Sequence, residues 1–448
     1  MTTFTHSTRI IQIQFDMPHV SAQGLVRGFR RWDLVALVLN TIIGAGIFGL
    51  PSTVQAHLGT YSVLAWLLCA LPIVLIVLCF AEVGSRFQET GGPYLYARVA
   101  FGPLIGFEVG WLMWLARITA FAALCNLFVG YLGYFIPVSS FGLGRALVIT
   151  TVVLVLALAN LLGVRSTAAV TNVLTVGKLI PLLLFVAVGL FFLNPENFSF
   201  AERPTSTSFS TAMLFMVFAY SGFEAAVVPA GEARDPVRHL PFALLTGIAV
   251  VVAIYVLIQI VCIGTLPDLA RSERPLSDAS LSFLGGAGAS LIAAGALVSV
   301  AGSMNGVVLV GSRVLFAMAE QRQLPGFLVK IHRRFQTPHV AILLSAMFML
   351  GLTLFSTFVS AVTVSAIIRL LTYVATCLAL PVLRWKRDIP PAGFVLRGGL
   401  FVSGAGLLFS VWLLWNSSWD EARVVGMASA LGILVHLTCS PRGQERPE

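Results

Sequence analysis

Charge is what this sequence has least of. Asp, Glu, Lys and Arg make up 10% of its 448 residues, against 58% hydrophobic ones, where soluble domains carry roughly 25% charged residues. That scarcity excludes a soluble domain and leaves a polytopic membrane protein. Cysteine is scarce as well. The six (Cys69, Cys79, Cys125, Cys262, Cys377, Cys439) stand in or beside apolar stretches without metal-ligand spacing. They read as small buried hydrophobes, neither a metal site nor a disulfide frame. No histidine lies in the middle of an apolar run, His436 at the end of the last being the nearest. With no nucleophile motif either, a membrane-embedded enzyme is not expected, nor is a cofactor. The first thirty residues contain Asp16 and His19 and no continuous apolar core, so they read as a cytoplasmic tail and not a signal peptide.

The charge that is present is unevenly placed. A formal net charge of +9 raises the question of nucleic acid, and its distribution answers it. Lys and Arg gather in alternate connections between apolar segments: Arg27, Arg30 and Arg31, then Arg86 and Arg98, Arg165, Arg234 and Arg238. The series continues with Arg322, Lys330, Arg333 and Arg334, and closes with Arg384, Lys386, Arg387 and Arg397. The connections between hold only Arg145, Arg203, Arg271, Arg274 and Arg423. This is positive-inside asymmetry; it puts both termini in the cytoplasm of a multi-pass protein of the cytoplasmic membrane and leaves no role for nucleic acid.

Windows of about 20 apolar residues, the span a bilayer requires, number twelve: 33–54, 61–84, 103–135, 145–163, 167–193, 209–232, 241–266, 285–319, 339–358, 360–384, 397–416 and 422–439. The third is long enough to begin as a cytoplasmic helix near Tyr94, and residues 267–280 read as a charged outer loop.

Two windows are interrupted. In 34–53 the centre carries Gly44, Gly46 and Gly49, followed by Pro51. Glycine leaves helical φ/ψ readily and lets another group approach the backbone, and backbone freed at membrane depth is tolerated only where protein or a water-filled cavity satisfies it. A broken helix with exposed backbone and a glycine-kinked helix packed on a neighbour both fit. In 209–232, Ser221-Gly222 sits mid-segment, Glu224 stands inside the apolar run and Pro229 follows. A carboxyl at that depth is costly and marks a functional candidate; a structural hydrogen bond tying down the unwound segment is the alternative. Discontinuous segments at corresponding positions of two halves point to a transporter site at the bilayer midplane.

The GAGIFGLP of the first segment and the FAYSGFEAAVVPAGEARDPVRHLP of the sixth resemble the signatures of amino acid permeases of the amino acid–polyamine–organocation (APC) superfamily, and GGPYLYARVAFGPLIGFEVGW fits too. The resemblance implies an all-α protein of LeuT-type architecture with twelve transmembrane helices, helices 1 and 6 discontinuous. Residues 33–193 and 209–384 would be inverted repeats of five helices each. Residues 397–439 would add two helices, with cytoplasmic tails at 1–32 and 440–448.

By the same resemblance, the substrate meets backbone at Ile43, Ala45, Gly46 and Ile47 in the first segment and at Phe218, Ala219, Ser221 and Gly222 in the sixth. The N–H groups near Gly46 suit a carboxylate, and carbonyls near Ile42, Ile43 and Phe218 to Ser221 suit an ammonium. Phe218 takes the place of a covering aromatic gate. Three cationic residues are left within spans. Lys178 is too central to snorkel. It matches the lysine that sodium-independent members carry where relatives of the fold hold sodium, and would brace the first break against the eighth segment. A desolvated lysine can also release its proton near neutral pH, which keeps a coupling role open. Arg117, one residue after Ala116 on a helix that lines the site, departs from the smaller residues usual there. It either meets an acidic substrate bidentately or pairs internally with Glu224 or Glu108. Arg369 faces the same question, with pairing between helices or at the interface favoured over substrate contact. Glu108 and Glu82, near cytoplasmic ends, are candidates for proton transfer or gate pairing.

The resemblance thus implies a sodium-independent permease with an amino acid as substrate and a proton as coupling ion. Exchange, polyamine transport and a non-transporting sensor remain open. An ion channel fits less well, since nothing resembles a repeated pore loop.

Overall fold

The computed structural model describes residues 30–87, 91–163, 168–200, 203–228 and 233–439. Most of the two expected tails, the turn around Arg165, Pro229 and Glu232 lie outside them. The described chain is a bundle of α-helices. Eight stretches are long and apolar enough to cross a membrane, and three shorter apolar helices (Gly177–Phe192, His339–Phe355 and Gly399–Trp415) accompany them.

The first window is two helices, α1 (Arg31–Ile42) and α2 (Ala45–Leu58), parted at Ile43 and Gly44. Gly44 stands at φ −150°, ψ −136°, a departure from helical geometry that ends the backbone ladder. Next comes α3 (Ser62–Gly84). The following segment divides into α4 (Pro93–Phe101) and α5 (Pro103–Leu132) because Gly102 adopts φ +96°, which a residue with a side chain resists, and Pro103 starts the new helix at its first position. Beyond them lie α6 (Gly142–Leu161) and α7 (Ala168–Gly189).

The sixth window is broken as well, into α8 (Ser206–Tyr220) and the single turn α9 (Phe223–Ala226). The remaining helices are α10 (Pro236–Thr265), α11 (Pro275–Glu320), α12 (His339–Phe355), α13 (Phe358–Trp385), α14 (Gly399–Trp415) and α15 (Trp419–Cys439). The eighth window corrects a boundary. The helix starts at Pro275, inside the expected loop 267–280, and bends at Gly285, whose φ of +63° interrupts its geometry.

Burial sorts the helices into centre and rim. The apolar windows of Pro103–Leu132 and Ser206–Ala226 are 83% and 89% buried, those of Gly142–Leu161 and Trp419–Cys439 only 17% and 11%. The rim helices present Leu147, Leu154, Leu158, Leu431 and Leu434 outward, an apolar exterior that suits acyl chains. The centre is formed by the two broken helices with α5, α10, α11 and α13 against them.

Candidate functional site

At the first break the backbone stops hydrogen-bonding to itself and finds a side chain instead. Lys178 Nζ donates to the carbonyls of Asn40 (3.0 Å) and Ile43 (3.1 Å) and to Ser303 Oγ (2.8 Å). One ammonium therefore ties the end of α1 to α7 and α11. Beyond the break, α2 begins at Ala45 with no side chain capping it, so its first N–H groups have no intrahelical acceptor and carry the positive end of a helix dipole.

The second break lies against the first. A Cβ on Gly46 would stand 2.6 Å from Ala219 Cα, and one on Gly222 would strike the Thr41 carbonyl oxygen. Both positions require the bare glycine backbone. Gly222 adopts φ +119°, and Ser221 Oγ turns back to the Phe218 carbonyl at 2.6 Å. Tyr255 buttresses the junction, its hydroxyl 3.2 Å from the Ile42 carbonyl and 3.3 Å from that of Ala219.

Glu224, two residues past the second break, is fully engaged. One oxygen accepts from the Gly222 N–H (2.8 Å) and the Tyr373 hydroxyl (3.2 Å). The other accepts from Arg117 Nη2 at 3.1 Å and forms an ion pair with Arg369. Arg369 Nε also reaches Ser365 Oγ at 3.3 Å. Arginine from α5 and arginine from α13 thus converge on one buried carboxylate, which gives the cluster an excess of one positive charge. Removing the carboxylate would leave two uncompensated guanidinium groups in low dielectric, whereas removing one arginine would leave a balanced pair.

A cavity of about 680 Å³ opens beside both breaks, within the size range of small-molecule sites. Of the residues singled out from sequence, Ala45, Gly46, Arg117, Phe218, Ser221 and Gly222 line it. Ile43, Ile47, Ala116 and Ala219 are buried nearby without lining it. The Ile43 carbonyl is taken by Lys178, and Ala219 is pressed on Gly46. Glu108 lies elsewhere: it faces Gly432 of α15 and does not reach the cavity. Glu82 is also apart, held bidentately by Arg384 at 2.6 and 2.7 Å with the Leu396 N–H at 2.9 Å.

Further polar lining residues are not singled out by the sequence. Asn40 stands one turn before the first break, and Arg313 is a fourth cation within a span; Arg369, expected to pair between helices, does so with Glu224 and also lines the cavity. Arg313 bonds the Leu309 carbonyl and Ser312 Oγ of its own helix. Its intramembrane charge was the signal that could have found it. The cavity continues to Gly91, Tyr94, Val228 and Gln321 at one end of the bundle, and no carboxylate lines it among the described residues.

A family model described as amino acid permease matches residues 29–429. The chain is 33% identical over 333 residues to the serine/threonine exchanger SteT of Bacillus subtilis, across 72% of this chain and 76% of that protein. It is 28% identical over 425 residues to the branched-chain amino acid permease BcaP of the same organism, across 89% of each. With a putative arginine/ornithine antiporter, also of Bacillus subtilis, it shares 28% identity over 348 residues, across 70% of this chain and 74% of that one.

Proposed function

The chain belongs to the amino acid permease family, whose members are membrane transporters and not enzymes; from that premise we propose a sodium-independent amino acid transporter of the cytoplasmic membrane that works by alternating access. The observation that carries this reading is the shared cavity of two broken helices. An amino acid presents a carboxylate and an ammonium. The unpartnered N–H groups at the start of α2 suit the first, and carbonyls around the two breaks, each with a second lone pair, suit the second. Phe218 on the cavity wall is the proposed gate.

Sodium independence rests on Lys178. Its ammonium occupies a set of two carbonyls and a hydroxyl at 2.8 to 3.1 Å, the kind of oxygen ligation that would hold a monovalent cation. In the proposed topology α1–α2 and α8–α9 are the discontinuous first and sixth of twelve crossings. The two five-helix repeats span 33–193 and 209–384, the pair over 397–439 lies outside them, and both termini are cytoplasmic.

Between the two couplings, exchange is the better supported. Glu224 is engaged by two arginines, a tyrosine and a backbone N–H, and Glu108 is remote from the cavity, which leaves no lining carboxyl among the described residues to load a proton. Two relatives also carry exchange in their names. Proton symport is the second reading, with Lys178 as the carrier, because its ammonium is seated directly on the first break. Arg117, Arg313 and Arg369 on the cavity wall without a lining carboxylate argue against polyamines.

Uptake of a panel of labelled amino acids into proteoliposomes, without sodium, tests the reading. Uptake into vesicles preloaded with the same amino acid, and not into empty vesicles under an inward proton gradient, is expected. Gradient-driven accumulation in empty vesicles establishes symport instead, and no flux from folded protein sinks transport altogether in favour of a sensor.

A further inference from the structure

The charges around the cavity do not balance. Arg117 and Arg369 share the single carboxylate of Glu224, and their side chains are only 5% exposed. Arg313 lines the same cavity and hydrogen-bonds only to oxygens of its own helix among the described contacts. Arg117 Nε is buried and has no hydrogen-bond partner. A buried guanidinium nitrogen without an acceptor, in a cluster with one positive charge to spare, is a site completed by an anion.

That anion has to come with the substrate and not from its amino acid core. The stripe Met113, Arg117, Ala120 and Leu124 of α5 lines the cavity, and Leu124, with Ser303, lies against Gly44 at the first break. The Arg117 guanidinium stands beside the second break, since the Glu224 carboxylate that it binds also accepts from the Gly222 N–H. An amino acid whose α-carboxylate and ammonium are held by the two breaks has these guanidinium groups within reach of a short side chain. A neutral amino acid brings no charge to that end, whereas an acidic one brings the missing negative charge in a form that a guanidinium binds bidentately.

Resting on the transporter reading above, we infer that the substrate class is amino acids with a carboxylate side chain, and that Arg117, supported by Arg369, is the residue that selects them. Glu224 holds both guanidinium groups at the cavity wall and fixes their separation.

The test is equilibrium binding to the purified full-length protein, comparing L-glutamate with L-glutamine and L-aspartate with L-asparagine, pairs that differ in charge and hardly in shape. The acid of each pair is expected to bind at least about tenfold more tightly, the worth of one hydrogen bond between charged groups. Amides that bind as tightly as the acids overturn the inference, as does binding of serine or leucine without either acid; both outcomes leave the transporter reading intact. Folded protein that neither binds nor moves any amino acid strikes that reading itself. In Arg117→Gln, with folding checked by its melting curve, the acid-to-amide ratio is expected to fall about tenfold. An unchanged ratio removes Arg117 from selection, which a purely structural role would also leave unmoved.

Discussion

At the scale of single residues, the breaks depend on atoms that are missing. Gly222 has to hold φ +119° and also lie against the Thr41 carbonyl, where a Cβ would collide. A side chain in left-handed backbone costs about 1–2 kcal/mol before any collision, and here the collision is with main chain, which cannot rotate away. Gly222→Ala is therefore expected to lower the melting temperature and to cut uptake more than tenfold, because the loss falls on the apposition that shapes the cavity. Gly130→Ala makes the control. Nothing lies within 4 Å of its added Cβ, and alanine favours a helix by about 1 kcal/mol, so uptake and stability are expected to be preserved or improved. Equal uptake by the two variants would show that the close contact at Gly222 does not matter for transport. The need for these glycines was legible in sequence from their clustering within apolar runs. Which of them face each other was not, because Gly46 meets Ala219 across 173 positions of chain and no local pattern encodes that distance.

At the scale of elements, ionic pairs join helices whose packing alone would let them slide. Glu82 at the end of α3 is fully buried and binds Arg384 of α13 through both oxygens, together with the Leu396 N–H ahead of α14. Breaking a buried pair by removing one partner costs about 3–5 kcal/mol. Arg384 is 24% exposed and can turn to water, so Glu82→Gln is expected toward the lower end, about 2–3 kcal/mol, read as a lowered melting temperature of the purified protein. Arg423→Ala removes a pair whose partners are 70% and 96% exposed at 3.9 Å and should leave the melting temperature unchanged. A matching loss in both variants would mean that charge is lost without regard to burial. Sequence placed Glu82 and Glu108 alike, each near the end of an apolar run, and the structure separates them: one clamps three elements, the other faces α15. Apolar windows report depth along a helix axis and not the direction a side chain takes around it, which is why depth was legible and partners were not. The same limit applies to Arg369, whose pairing between helices was legible as a buried charge while its partner Glu224 and its place on the cavity wall beside Arg117 were not.

At the scale of the whole molecule, the cavity is asymmetric. From the two breaks it runs toward Gly91, Tyr94, Val228 and Gln321, residues in or next to the connections in which Lys and Arg accumulate. In the proposed topology, which puts those connections in the cytoplasm, the cavity would open inward, and the proposed cycle requires a second conformation in which the path closes there and opens beyond the breaks. Tyr94 is placed to take part in that closure, since its hydroxyl bonds the side chains of Gln321 and Gln323 at the end of α11. Accessibility then has a sign that can be measured. Ala317 lies on the cavity wall near that end and is exposed, while five of the six native cysteines are buried and only Cys439 is partly accessible. In Ala317→Cys combined with Cys439→Ser, a membrane-impermeant maleimide is expected to label inside-out vesicles and to spare right-side-out ones. A transported amino acid should slow the labelling, by occupying the path or by shifting the population outward. Labelling confined to right-side-out vesicles would reverse the orientation, and with it the direction in which this cavity opens. Labelling that no transported amino acid alters would separate the cavity from the transport path.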